Sequence, residues 1–279
     1  MSTALPRFNI SELEDHDFCP EYHHNRWSVQ RVGIADESEP LRLGTYAHKV
    51  LERMMRGEKP SFTAKLLASE RALDLALAAW WGKLGIAHPW DAVLETEQAL
   101  ELEVWSPELG QAGFVLFGTP DACVTWEGKL WHLQHKTIGQ SIPVGVFSAG
   151  IAQSLHEAGY AALLQHAHPG IPYGGTLLNI VRRLSEKRAL EDPSQALHIE
   201  FLAITPAQIE RGLRDISHKA QQILAQTRRY RRRAACWGIY RNKLCEYYPS
   251  CWQGISINDT VLFEHKNPLS HYATEEEAS

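Results

Sequence analysis

The chain has 279 residues, 44% of them hydrophobic and 22% charged, with a formal net charge of −5. That composition points to a globular protein of one larger domain, or one domain with a helical insertion, and excludes general electrostatic attraction to nucleic acid; any such binding must come from a local basic patch. No apolar run approaches the roughly 20 residues of a membrane span, and the first residues, MSTALPRFNISELEDHD, lack the basic start and apolar core of a secretion signal. Five cysteines without such a signal suggest a reducing compartment, where thiols bind metal or stay free more often than they form disulfides.

In chain order, Ser11 is placed to cap a short helix through Leu13 and Phe18, with Glu14 set for a capping box, and Cys19-Pro20 interrupts it. Residues 31–40 are polar and predict a loop. Leu43, Ala47, Val50, Leu51 and Met54 recur at helical spacing over 41–56, with His48 at the edge of the apolar face. A second helix is predicted over 61–84 on Leu66, Leu67, Leu73, Leu77 and Trp80. Residues 92–105 alternate imperfectly and predict one or two strands, and Ala112 to Phe117 a further one.

The stretch GTPDACVTWEGKLWHLQHKT, Gly118 to Thr137, predicts a β-hairpin with Glu127-Gly128 at its turn. Pairing across that turn brings Asp121, near the first strand, toward Gln134 and Lys136 at the end of the second. A carboxylate, an amide oxygen and an ammonium at one sheet edge can hold a divalent cation and a phosphate. The same residue types are also common on solvent-exposed strand ends, and a lone helical histidine such as His48 is often structural, so both readings stand on these residues alone.

Phe147 to His166 is predicted as one helix, Gly174 to Arg182 and Leu197 to Ile204 as strands. Thr205-Pro206 starts a helix carrying Ile209, Leu213, Ile216, Ala220, Ile223 and Leu224. It runs into a basic cluster, Arg228, Arg229, Arg231, Arg232 and Arg233, with Tyr230 among them. Such a cluster suits either a solvated helix end or a grip on phosphate. Arg182, Arg183, Lys187 and Arg188 form a second basic group. The order of elements predicts an α/β sheet flanked by helices, with the two chain ends forming an accessory lobe.

Four segments, in order, resemble the motifs of the PD-(D/E)xK nuclease superfamily, in its RecB-like branch. LRLGTYAHKVLE is similar to its Gly-x-x-x-His helix, GTPD to its Gly-x-x-Asp segment, LQHKT to its (D/E)-x-K-T strand, and HEAGYAALL to its Gln-x-x-x-Tyr helix. The resemblance implies a restriction-endonuclease-like mixed central sheet flanked by helices. It implies metal ligation by His48, Asp121, Gln134 and the His135 carbonyl, with Asp121, Gln134, Lys136 and Tyr160 as catalytic residues. Mg²⁺ or Mn²⁺ would be the metal and single-stranded DNA or DNA ends the substrate. Two positions depart from the pattern. Gln134 stands where a second carboxylate is expected, and His156 where glutamine is, with Gln153 one turn earlier. Gln134 leaves two readings: a working variant, or a weak or inactive DNA-binding adaptor that keeps the fold. Glu95 and Glu97 are carboxylates on a nearby strand that could compensate, but nothing in the sequence places them in the site.

Cys236, Cys245 and Cys251 lie close together, and Cys19 far upstream. Their spacing fits neither a common zinc finger nor a CxxC pair. RecB-like nucleases with an iron–sulfur cluster, among them CRISPR-associated and phage exonucleases, carry one cysteine before the core and three after it. The resemblance therefore implies a [4Fe–4S] cluster on these four residues; a zinc site on the same four, in a nuclease or in a structural protein without DNA contact, is the alternative. Cys123 is expected in the core. The implied arrangement is a single nuclease domain over 1–270, with its core over 41–227, a cysteine lobe from 8–30 and 228–255, and an acidic tail over 271–279. The implied setting is the cytoplasm of a bacterium or phage-infected cell, with or without nucleoid association and a protein partner in recombination, repair or phage replication.

Overall fold

The computed structural model describes residues 5–33, 39–58, 68–87, 90–106, 111–225 and 245–266. In order these form β1 (Arg7–Asn9), α1 (Ile10–Phe18), α2 (Pro20–His23) running into a π-helical turn (His24–Ser28), β2 (Arg31–Gly33), α3 (Glu39–Met55), α4 (Ala68–Ala87), β3 (Ala92–Thr96), β4 (Leu100–Ser106) and β5 (Gln111–Gly118). There follow β6 (Ala122–Trp126), β7 (Lys129–Gly139), α5 (Val144–Ala152), α6 (Leu155–Ala167), β8 (Tyr173–Arg183), α7 (Glu186–Glu191), a 3₁₀ turn (Pro193–Ala196), β9 (Leu197–Leu202), α8 (Pro206–Ala225), a short helix (Tyr248–Gln253) and β10 (Phe263–His265). This is a mixed α/β protein in which helices flank mixed sheets, as the order of elements predicts.

The chain divides into two compact units. The unit formed by residues 37–102 and 118–213 is built on a five-stranded sheet in the order β3-β6-β7-β8-β9. β7 and β8 are parallel and the other neighbours antiparallel. Glu127 and Gly128 join β6 to β7 with φ of 51° and 69°, the left-handed pair of a type I′ hairpin turn, whose twist matches that of the strands. The parallel β7–β8 pair requires a crossover, which α5 and α6 supply.

Each face of this sheet is covered for a reason legible in its side chains. Leu43, Ala47, Leu51 and Met54 form one stripe of α3 and pack with Leu73 and Leu77 of α4 against Ala122, Val124, Leu133, Leu177 and Val181. Burying a leucine such as Leu51 or Leu133 contributes on the order of 2 kcal/mol. Ile138, Leu178 and Ile180 lie in a second cluster with Val144, Phe147 and Ile151 of the α5 segment. Gly212 in α8 admits Ala158 of α6, whose Cβ would lie 2.2 Å from a Cβ at position 212.

Three elements differ from the sequence reading. Within the loop predicted over 31–40, residues 31–33 form β2 and pair with β10, and α3 already begins at Glu39. The helix predicted over 147–166 is two helices, because Ser154 takes an extended conformation (ψ 155°) between α5 and α6. Ser11 does not cap α1; Asn9 does, its Oδ1 accepting from the Ser11 N–H at 2.9 Å. Of the helix predicted over 61–84, α4 covers the part from 68, and residues 61–67 lie outside the described residues.

Gly175 of β8 has φ of 137°, and a Cβ there would meet the Leu202 carbonyl oxygen at 2.2 Å. Backbone cannot swing away as a flexible side chain can. Gly175→Ala is therefore expected to destabilise the protein by about 2–4 kcal/mol, read as a lowered thermal midpoint; an unchanged midpoint would contradict this close approach.

The other unit comprises residues 1–36, 103–117 and 214–279. Within it β1 runs parallel to β5, and β2 pairs antiparallel with β10. Phe8 packs edge-on against Phe114 at 5.7 Å between ring centroids. Cys19, Tyr22, Tyr247, Cys251 and Phe263 form a buried cluster, with Cys245 packed against it. No helix among the described residues is long and apolar enough to cross a membrane.

Candidate metal centre

Three elements deliver three ligand-type side chains to one point. α3 turns its apolar stripe inward, and His48, one residue past the buried Ala47, falls on the flank of that stripe. The pairing of Ala122 with Leu133 sets Asp121, just ahead of β6, beside the 134–136 end of β7. The pairing of Thr96 with Ala122 sets Glu97 beside Asp121. Glu97 has φ of 50°, an uncommon conformation for a residue with a side chain, and its N–H donates to the Asp121 carbonyl at 3.2 Å.

One ligand atom each from His48, Glu97 and Asp121 lie within 4.8 Å of one another. His48 Nδ1 is 3.5 Å from Asp121 Oδ1. Asp121 Oδ2 accepts the His135 backbone N–H at 2.6 Å, so one oxygen is fixed by β7 while the other faces His48. Two carboxylates and an imidazole nitrogen fit a hard divalent cation that keeps several waters. Lys136 lies close enough for its charge to act on both His48 and Asp121.

The electrostatics are those of a site built for positive charge. Burial works against the ionised Asp121, yet the hydrogen bond and charge of His48, with His135 and Lys136, hold its carboxyl well below the usual range. Burial disfavours a charged His48, but the bond and charge of Asp121 prevail and raise it. Burial, then the charges of Asp121 and Glu52, push Glu97 up to about 7. His135 is pushed down to about 4 by burial.

These shifts have a sign. Above the usual glutamate value of 4.5 and up to about 7, the folded chain holds a proton on Glu97 that the unfolded chain releases, so stability falls as pH rises through that window. His48, with its raised value, loses its contribution in the same direction. Asp121 is lowered, so its contribution is lost only in more acid solution. His135, lowered to about 4, and the buried His132, lowered to about 3, act in the opposite direction up to about pH 6.5. The Glu97 contribution is therefore read as a difference: in EDTA the midpoint of Glu97→Gln should rise relative to wild type between about pH 5.5 and about pH 8. Mn²⁺ should raise the midpoint more at the higher pH, since binding needs Glu97 ionised. A difference between Glu97→Gln and wild type that does not grow with pH would contradict the arrangement.

Among solved structures, the chain is similar to the crystal structure of a proposed exonuclease from Eubacterium rectale, with a TM-score of 0.51 and 12% identity over 85% of this chain and 88% of that one. The two chains share a fold. A second structure, SSO0001, aligns with a TM-score of 0.41 and 13% identity over 82% of each chain. No family model and no curated protein matches the sequence.

The remaining residues singled out in the sequence are distributed as follows. Gln134 is 5% exposed; with its amide oriented so that nitrogen faces the carboxylate and oxygen the ammonium, the nitrogen lies 3.2 Å from Glu157 Oε1 and the oxygen 3.3 Å from Lys136 Nζ. The His135 ring faces Asn179, with Nδ1 2.9 Å from its side-chain nitrogen. Tyr160 donates its hydroxyl to the Thr119 carbonyl at 3.2 Å, tying α6 to the loop that carries Asp121. His156 stacks on Tyr160 at 5.9 Å between centroids. Gln153 forms the end of α5. Glu95, two residues before Glu97, turns instead to His168, 3.1 Å away. Cys123 is fully buried in β6, and burial, then Glu95, pushes its thiol up to about 12. Cys19 and Cys251 are buried, and with the partly buried Cys245 they belong to one apolar cluster; among the described residues, the group whose ligand atoms lie within 4.8 Å of one another is His48, Glu97 and Asp121 and includes no cysteine. Cys236 and the arginines 228, 229 and 231–233 lie outside the described residues, as does the acidic tail over 271–279.

Glu97 is the site residue that sequence reading could not place. It and Glu95 both fall in an imperfectly alternating strand. The left-handed turn at Glu97 separates their directions, and no residue type announces such a turn here.

Proposed function

We propose that the protein is a metal-dependent DNA nuclease of the PD-(D/E)xK type in its RecB-like branch, acting as an exonuclease on single strands or DNA ends. The observation that carries this reading is the convergence of His48, Glu97 and Asp121 beside Lys136, on a fold shared with a proposed exonuclease. His48, Glu97 and Asp121 would hold Mg²⁺ or Mn²⁺, with the His135 carbonyl as a further ligand. The metal would supply an activated water and neutralise charge on the phosphate. Lys136 would orient the attacking water and stabilise the charge that develops during phosphodiester hydrolysis. Tyr160 acts through the Thr119 carbonyl, holding the Asp121 loop in register. Because Glu97 adds a second carboxylate to the group, the neutral Gln134 does not by itself argue for the inactive adaptor reading.

The domain reading stays a single nuclease domain over 1–270, in which the cysteine-bearing ends belong to the same functional protein. The arginines 228, 229 and 231–233 would contact DNA phosphates. Cys19, Cys236, Cys245 and Cys251 would hold a [4Fe–4S] cluster, a reading that rests on the resemblance of their placement in the sequence; Cys19, Cys245 and Cys251 belong to one apolar cluster. The setting would be a bacterial or phage-infected cytoplasm, in repair, recombination or phage replication.

The test is cleavage of end-labelled linear and single-stranded DNA by purified protein with Mn²⁺ against the same reaction in EDTA. Metal-dependent shortening from an end is expected; no cleavage of either DNA with Mn²⁺ would leave the adaptor reading. For the cysteines, anaerobically purified protein should absorb near about 400 nm and contain about four irons per chain. Stoichiometric zinc with no iron would replace the cluster by a zinc site.

A further inference from the structure

One buried carboxylate has no part in the chemistry above. Glu157 lies in the first turn of α6 and is 2% exposed. A carboxylate so far from water needs donors. The Thr176 hydroxyl of β8 donates to Glu157 Oε2. One orientation of the Gln134 amide sets donor against acceptor at both ends, and it is the one assigned: the nitrogen then donates to Glu157 Oε1 at 3.2 Å and the oxygen accepts from Lys136 Nζ at 3.3 Å. Gln134 and Lys136 are two apart on β7 and so share a face of the sheet. The result is a continuous bridge from hydroxyl to carboxylate to amide to ammonium.

Glutamine is suited to this place because one end donates and the other accepts. A glutamate at 134 could still accept from Lys136 but would confront Glu157 with no proton between them, and two adjacent buried carboxylates cannot both ionise cheaply. The missing carboxylate at 134 and the buried carboxylate at 157 are thus two halves of one feature. We propose that Glu157 is a positioning residue that fixes the Lys136 ammonium through the Gln134 amide, so that the carboxylate expected on β7 has its counterpart on α6. The bridge is independent of the nuclease reading; only its effect on cleavage rests on that reading.

The test is a reciprocal exchange using Gln134→Glu, Glu157→Gln and the double variant. Thermal midpoints in EDTA at about pH 8 probe the bridge without reference to activity. Gln134→Glu alone should lower the midpoint by at least about 4 °C, and adding Glu157→Gln should restore at least half of the loss. Should Glu157→Gln alone fail to fold, the double variant must still fold, because it again pairs one carboxylate with one amide. Additive midpoints, or a double variant no better than Gln134→Glu, overturn the bridge. In cleavage assays at saturating Mn²⁺, Glu157→Gln should lose at least about tenfold in turnover while Mn²⁺ affinity by calorimetry stays within about threefold. A Gln134→Glu variant that binds Mn²⁺ more tightly, cleaves faster and melts no lower would also overturn it. If wild type cleaves nothing, the nuclease reading fails and the midpoints still decide the bridge.

Discussion

Replacing Asp121 with asparagine should lower Mn²⁺-supported DNA cleavage by at least about a thousandfold. The substitution is nearly isosteric, and the new side chain can still accept the His135 backbone N–H with its one oxygen, as Asp121 Oδ2 does at 2.6 Å. What it removes is the charge. Asp121 is the member of the group held most firmly ionised, because His48, His135 and Lys136 all favour its anion. Without it, the amide nitrogen faces the His48 ring in place of an oxygen, and Glu97 is the one carboxylate left in the group. Mn²⁺ affinity should fall together with cleavage, which calorimetry and an end-labelled DNA assay measure side by side. Cleavage within about tenfold of wild type would remove Asp121 from the metal site.

Lys136→Ala should separate binding from chemistry. Cleavage is expected to drop about 10²- to 10³-fold, the scale for removing one group that stabilises developing charge. Mn²⁺ affinity should be undiminished or slightly higher, because the substitution deletes a cation whose charge acts on His48 and Asp121. Lys136→Arg should restore little. A planar guanidinium presents its donors in a fixed fork and cannot reproduce a compact ammonium held 3.3 Å from the Gln134 oxygen. Weaker Mn²⁺ binding with intact cleavage would assign Lys136 to structure and not to the reaction.

The motif residues were legible as residue types, and the structure shows what joins them. His48 could be found from its place on the edge of an apolar helical face, and that edge is where α3 meets β7. Asp121 and Lys136 could be found from a hairpin whose turn, Glu127-Gly128, is strongly specified. Glu97 and Glu157 could not be placed. The first depends on a left-handed backbone turn two residues past Glu95. The second depends on α6 presenting its first turn to the same face of β7 as Gln134 and Lys136, a contact made by a crossover helix and not by neighbours in sequence. The split of the 147–166 helix had no breaker residue to mark it, since serine is tolerated in helices as well as at their starts.

The sequence by itself determined the period of the main strands and helices, the hairpin at the centre and the residue types at His48, Asp121 and Lys136. Those follow from local patterns of two and about 3.6 residues, which side-chain burial enforces wherever the segment packs. Only the tertiary structure decided which carboxylates join them. Strand register and helix placement bring Glu97 to His48 and Asp121, send Glu95 to His168, and bury Glu157 against the Gln134 amide. A carboxylate's role is set by what it faces across the fold, and register and crossover geometry are sums over many weak contacts that no short stretch of sequence carries alone.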